Sequence, residues 1–357
     1  MTADAEPEPI LARQQRSERL LATLAPFPKI VLVSHVNPDP DALASMLGLK
    51  ALIDYALPEK TIVLTYDGMI ARAENRAMVD LIPVPVVPVA NVPIDHETAV
   101  IMVDSQPHTG RRASESAVPR VVIDHHDTGG VLTGVAFRDI RPNLGATCTI
   151  VTGYLLERHV AVPPRLATAL LYGIESETSG YPREASSLDD GALVWLFPRA
   201  DKDLLARIRN PKLPQSHFAT FQHALANAFL YRDVVVSYCG VVSQPDIIAE
   251  VADFFVRFDR VNWALSIGRF EDTLKLSVRV SQLGGHSGEV LRDVVEGLGT
   301  AGGHDKRAGG AIPLTDTSPE AIDDLLRTIR RRLLAEIGIP EEQGHRLLEA
   351  SPVIQPP

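Results

Sequence analysis

The chain has 357 residues, with 35 Lys+Arg against 45 Asp+Glu and a formal net charge of −10. At roughly 100–200 residues per domain, that length suggests two domains or three. A hydrophobic fraction of 45% with 22% charged residues excludes a disordered chain. Two distant cysteines, Cys148 and Cys239, leave neither a disulfide scaffold nor a thiolate zinc site. No apolar run approaches the roughly 18 residues of a membrane span, and the acidic start MTADAEPEPI lacks the apolar core of a signal peptide. The acidic balance also argues against a broad basic surface for nucleic acid. These features together lead to the expectation of a cytoplasmic enzyme with no membrane association.

An amphipathic pattern between Pro9 and Pro26 predicts a first helix over 10–24. The run KIVLVS predicts a buried strand over 29–34, followed by a helix over 41–55 and a strand over 61–66. Further strands are predicted over 99–103 and 120–123, then helices over 146–159 and 164–175. Continuous apolar strands separated by helices predict an α/β domain over 25–185, a mostly parallel sheet with helices on both faces. Residues 186–220 show no strong period and carry Pro198, Pro211 and Pro214, so they read as a linker. A second, smaller α/β domain is expected over 221–336. Its strands are predicted at 234–238, 263–267 and 274–280, and its helices at 247–255, 288–296 and 319–336. The tail, 337–357, reads as loosely ordered. Charge is unevenly divided: residues 205–335 hold 16 Lys+Arg against 15 Asp+Glu, so the acidity belongs to the rest.

Three predicted strands of the first domain end in the same chemistry. Strand 29–34 runs into His35-Val36-Asn37-Pro38-Asp39-Pro40-Asp41, strand 99–103 into Asp104, and strand 120–123 into Asp124-His125-His126-Asp127. In an open parallel sheet, ligands bind beyond the carboxyl ends of the strands, so the three loops should converge. Imidazole nitrogen and carboxylate oxygen without thiolate suit Mn, Fe, Co or Zn. Crowded carboxylates repel unless a cation offsets them. Blander readings fit single residues. Asp41 could cap its own helix, Asp67 reads as the turn residue of Asp-Gly, and His96, His108, His159, His217, His223 and His345 read as surface or core residues. The clustering at strand ends is what such readings leave unexplained.

The segments VSHVNPDPDALASMLGL, IMVDS, VVIDHHD and GIESETSGY resemble, in order and spacing, the four motifs of the DHH phosphoesterases. TAGGHDKRAGG is similar to the GGH signature of the associated DHHA1 domain, so the resemblance covers about residues 25–335. It implies two divalent metal ions, usually manganese. His35, Asp39 and Asp104 would hold the first, and Asp41, Asp104, His125 and Glu177 the second, with Asp104 bridging. His126 would contact substrate phosphate, and Asp124 would orient a histidine. In the second domain, Arg279, Gly302, Gly303, His304 and Arg307 would bind the far end of the substrate across an interdomain cleft. The glycines would act as an anion-binding nest.

Two residues depart from the family pattern. Pro40 stands where the family usually has Gly, which requires a backbone position that is not left-handed. Glu177 stands where the family has Asp, with Glu175 as the alternative ligand. The implied activity is hydrolysis of short phosphodiesters or nucleotide phosphomonoesters, as in the stand-alone oligoribonuclease and pAp phosphatase group. Alternatives are a polyphosphatase or pyrophosphatase, a cyclic dinucleotide phosphodiesterase, and a nucleotide-binding regulator on a degraded scaffold. The expected partner is a short oligonucleotide or nucleotide phosphate rather than long duplex nucleic acid, and a homodimer is an assembly open to the chain.

Overall fold

The computed structural model describes residues 15–70, 72–107, 118–127, 132–178, 185–282, 284–303, 305–340 and 344–348. The chain folds as two compact units, residues 1–211 and 212–357. Among the described residues, no helix is long and apolar enough to cross a membrane.

The first unit opens with α1 (Arg16–Leu24), β1 (Lys29–Val33), α2 (Pro40–Ala56), β2 (Thr61–Tyr66), α3 (Ala73–Leu81) and β3 (Val86–Pro88). It continues with β4 (Thr98–Val103), β5 (Val121–Asp124), β6 (Phe137–Ile140), α4 (Thr147–Glu157), α5 (Pro164–Thr178), α6 (Ser187–Leu196) and α7 (Lys202–Arg209). Its six strands are all parallel, in the order β3-β2-β1-β4-β5-β6. The central strands read as continuous apolar runs because both faces of the sheet are covered. Ile30, Leu32, Ile101, Val103 and Ile123 pack with Leu43, Met46 and Leu49 of α2 and Ile150 and Val151 of α4. The alternate residues Val31, Val33, Val100, Met102 and Val122 form a smaller core on the other face.

The chain builds outward from β1 in one direction and from β4 in the other. The topological switch point therefore falls between β1 and β4, where the crevice beyond the strand ends opens. Close helix packing sets the geometry below it. A Cβ on Gly173 of α5 would lie 2.6 Å from Cys148 Sγ and 3.3 Å from the Cα of Asp41. Glycine at this position lets α5 close on the start of α2.

The stretch 186–220, expected as a linker, is instead helical. Ser186 and Asp189 form a capping box at the start of α6, and Asp201 caps α7. Leu196, Leu204, Leu205 and Ile208 are buried in the core of the first unit. Asp189, fully buried, also accepts from the Gly145 N–H at 2.8 Å and the Thr149 hydroxyl at 2.5 Å, which ties α6 to the start of α4. The prolines punctuate these helices rather than replace them.

The second unit contains α8 (Gln215–Ala226), β7 (Ala228–Tyr231), β8 (Val234–Val241), α9 (Asp246–Phe255), β9 (Trp263–Phe270) and β10 (Thr273–Val280). It continues with α10 (Ser287–Val294), β11 (Thr300–Gly303), β12 (Arg307–Pro313), α11 (Pro319–Glu336) and β13 (His345–Arg346). The sheet order is β11-β12-β10-β9-β8-β7-β13, antiparallel except for the β8–β9 pair. One face packs on Val251 and Phe255 of α9, the other on Leu291 of α10 and Leu333 of α11. Part of the tail expected to be loose supplies β13, which pairs with β7.

On β6, Asp139 is fully buried. It is held by Arg141 through two bonds of 2.8 Å, by the Tyr154 hydroxyl at 2.5 Å and by Arg16 of α1. Removing a carboxylate from such a set strands buried cationic and hydroxyl partners. Asp139→Ala should lower the unfolding free energy of the first unit by about 3–5 kcal/mol in urea titrations. A loss below about 1 kcal/mol would show that the cluster is not a structural anchor.

Candidate metal centre

The segment 35–41, which runs into the start of α2, follows β1, Asp104 follows β4, and Asp124, His125 and His126 stand at the end of β5. β1, β4 and β5 are neighbours, so the three segments lie side by side at the carboxyl edge of the sheet. Asp104 is 2% exposed and turns the chain at φ 56°, a left-handed conformation that costs a non-glycine residue roughly 1–2 kcal/mol. Its N–H donates to the Ile123 carbonyl at 2.9 Å, which pins the turn.

Two histidines face this carboxylate, one at each oxygen. His35 Nε2 lies 3.4 Å from Asp104 Oδ2 and 3.6 Å from Asp39 Oδ2. His125 Nε2 lies 3.4 Å from Asp104 Oδ1 and 3.8 Å from Asp41 Oδ2. Each ring turns Nδ1 to a backbone carbonyl, Val36 at 3.0 Å for His35 and Leu144 at 3.2 Å for His125. That arrangement aims Nε2 at the carboxylates, as metal-binding imidazoles are commonly held.

Among the described residues, two groups bring possible ligand atoms within 4.8 Å of one another: His35, Asp39 and Asp104, and Asp104, His125 and His126. Asp104 belongs to both. Spacings of 3.4–3.8 Å are long for hydrogen bonds. They approach what one ion imposes, since bonds of about 2.1 Å set neighbouring ligands roughly 3.0–3.5 Å apart. The donor set, nitrogen and carboxylate oxygen, fits a divalent cation.

Electrostatics agree with a cluster built around positive charge. Burial opposes the His35 cation, yet the nearby carboxylates of Asp104 and Asp39 raise its pKa well above the usual value. Burial pushes Asp39 up, but His35 and the Ala42 N–H hold it below the ordinary carboxylate range. Burial, then the charges of Asp104, Asp39 and Glu177, push Asp41 well above that range.

Asp41 stands outside both tight groups and is fully buried. Its two oxygens accept the Thr147 and Cys148 N–H groups, each at 2.7 Å, at the start of α4. The cap of α2 is Asp39, whose side chain accepts from Ala42 N–H at 3.0 Å. Pro40 is then the first helical residue of α2, where a missing N–H costs nothing. Glu177 also lies outside the tight groups, although its charge acts on Asp41. Glu175 is engaged by Arg209, which donates Nε to it at 3.0 Å.

Asp124 is 1% exposed, and its Oδ1 accepts the His125 N–H and the His126 Nδ1–H, both at 2.8 Å. Two further residues complete the site and escape a sequence reading. Thr147 donates its hydroxyl to Asp104 Oδ1 at 2.8 Å. Gln106 donates Nε2–H to Asp124 Oδ2 at 2.8 Å and to the carbonyls of His126 and Asp127, both at 3.2 Å. A polar residue opening a helix after Gly145-Ala146 was the available signal for Thr147; nothing local marks Gln106.

In the second unit, Arg279 is 8% exposed and bound to Asp253, the Ser277 hydroxyl and the Val278 carbonyl. Arg307 is exposed on β12, in register with Arg279. Gly302 and Gly303 are not a loop nest. They form β11, paired with Gly309 and Ala308. The approach is close, since a Cβ on Gly303 would lie 2.3 Å from the Arg307 carbonyl oxygen. His304 lies outside the described residues, as do Ser179, Gly180 and Tyr181 of the fourth motif.

Comparison with known proteins places these observations. The DHH family N-terminal domain matches residues 29–174, and the DHHA1 domain matches residues 232–335. An uncharacterized protein of Methanocaldococcus jannaschii is 31% identical over 321 residues, 88% of this chain and 65% of that protein's length. A protein of Streptococcus mutans named "Probable bifunctional oligoribonuclease and PAP phosphatase NrnA" is 22% identical over 300 residues, 83% of this chain and 90% of its own. An exopolyphosphatase-related protein of Bacteroides fragilis shares the fold with a TM-score of 0.70 at 16% identity, over 91% of this chain and 98% of that one. RecJ of Thermus thermophilus, solved with Mn2+, gives a TM-score of 0.52 at 16% identity, over 92% and 57%.

A cation that binds only the folded protein stabilises it. Mn2+ should therefore raise the melting temperature of the wild type and leave that of Asp104→Ala unmoved. A wild type indifferent to Mn2+ in the same calorimetric scan would contradict the fit.

Proposed function

This chain belongs to the DHH family, with a DHHA1 domain following the DHH domain in sequence, and from that premise we propose that it hydrolyses short phosphodiesters or nucleotide phosphomonoesters. Oligoribonucleotides and pAp are the favoured substrates. The observation that carries the reading is the convergence of His35, Asp39, Asp104, His125 and His126 at the switch point of the sheet.

In this reading His35, Asp39 and Asp104 hold one divalent ion, and Asp41, Asp104, His125 and Glu177 hold a second. Such ions, with Mn2+ preferred, supply an activated water and neutralise charge on the phosphoryl oxygens. The protein's own groups do the placing. Asp104 faces both histidines, so one carboxylate serves both positions. His126 gives Nδ1–H to Asp124, and as the imidazolium it would turn Nε2–H to the phosphoryl oxygens and the charge that develops on them.

In the second unit, substrate contacts are assigned to Gly302, Gly303, His304 and Arg307. Arg279 serves with them, its guanidinium set by Asp253. A net charge of −10 speaks against a sequence-blind grip on long nucleic acid and favours a short substrate. A cytoplasmic setting suits such a substrate.

The test is a substrate panel in Mn2+: pApA, pAp, cyclic di-AMP and polyphosphate. Release of AMP from pApA and of phosphate from pAp should lead the panel, and a chelator should abolish both. Asp104→Ala should reduce turnover to background. Near-normal turnover by Asp104→Ala would overturn the metal assignment. Tight nucleotide binding without turnover of any substrate would instead indicate a regulator.

A further inference from the structure

Gln106 follows the strand-end Asp104 by two residues and is 1% exposed. Its side-chain amide meets three acceptors: Asp124 Oδ2 at 2.8 Å and the His126 and Asp127 carbonyl oxygens at 3.2 Å. Only an NH2 group can satisfy a carboxylate and two carbonyls together, so the amide orientation follows from the chemistry of its neighbours. Asp124 spends its other oxygen on the His125 N–H and on His126 Nδ1, each at 2.8 Å. Gln106 thus grips both ends of one device, the carboxylate that orients His126 and the turn that carries it.

We propose that Gln106 is a positioning residue for the reaction, acting through Asp124 to hold His126 with Nδ1–H on the carboxylate and Nε2 presented to substrate. The inference rests on the hydrolytic reading above. Without the clamp, Asp124 can rotate about its terminal torsion and the His126–Asp127 carbonyls lose their shared donor. His126 then samples several ring orientations. Gln106 bonds Asp124 and the carbonyls of His126 and Asp127, so its loss should act first on the Asp124–His126 pair.

The test compares wild type with Gln106→Met, which keeps length and volume and removes both donors. Three quantities are read: kcat and KM on the best substrate of the panel, Mn2+ stoichiometry by calorimetry, and the downfield Nδ1–H proton resonance of His126. That resonance is assigned by its loss in His126→Gln. Expected are a fall in kcat of about 10-fold or more, a KM close to wild type, unchanged Mn2+ stoichiometry, and a lost or shifted resonance. An unchanged kcat or an unchanged resonance overturns the proposal, as does an equal loss of Mn2+ binding. If Gln106→Met fails to fold, Gln106→Leu carries the same test, because it too is apolar and lacks the donors. Should no substrate be turned over by the wild type, the hydrolytic reading falls, while the resonance still decides whether Gln106 holds the dyad.

Discussion

A carboxylate withdrawn from water must find its compensation inside the protein, and Asp104 is 2% exposed. Its Oδ1 takes the Thr147 hydroxyl and faces His125, while Oδ2 faces His35. Those partners come from the segments after β1 and β5 and from the start of α4, so the fold must bring three separate segments to one side chain. The parallel order that sets β4 between β1 and β5 does this. The left-handed turn at Asp104 is the local strain that places the carboxylate there.

Helix α4 gives the same cluster its second support. The N-terminal amides of a helix carry partial positive charge and seek anions, and here they meet Asp41 at 2.7 Å. The start of α4 is in turn fixed by Asp189 through Gly145 and Thr149. Helix α6 is therefore part of what holds the carboxylates in place, despite its distance from them in sequence. Gly173 completes the arrangement by letting α5, and with it Glu177, come close to the start of α2.

Much of this was legible before the structure. β1, β4 and β5 are short apolar runs with acidic or histidine ends, and that placement marked the segment 35–41, Asp104 and the 124–126 triplet, while the resemblance supplied their individual roles. Pro40 looked like a departure until its place as the first residue of α2 explained it. Partners distant in sequence stayed hidden: Thr147 meets Asp104 across 43 residues, and Gln106 meets Asp124 across 18. No local pattern encodes such pairings. β11 and β12 were missed because glycine is depleted from strands, yet here it permits close pairing of Gly302 with Gly309. α6 and α7 were missed because they are short and set among prolines, although the Ser186–Asp189 capping box, the Asp201 cap and the spacing of Leu204, Leu205 and Ile208 were local signals for them.

The central proposal is that Asp104 would join two cation positions into one centre. Electron paramagnetic resonance of the protein loaded with Mn2+ addresses it directly. The account predicts the spectrum of an exchange-coupled manganese pair in the wild type, collapsing to that of isolated ions in Asp104→Asn. A wild-type spectrum of isolated, uncoupled Mn2+ at saturating metal would contradict it.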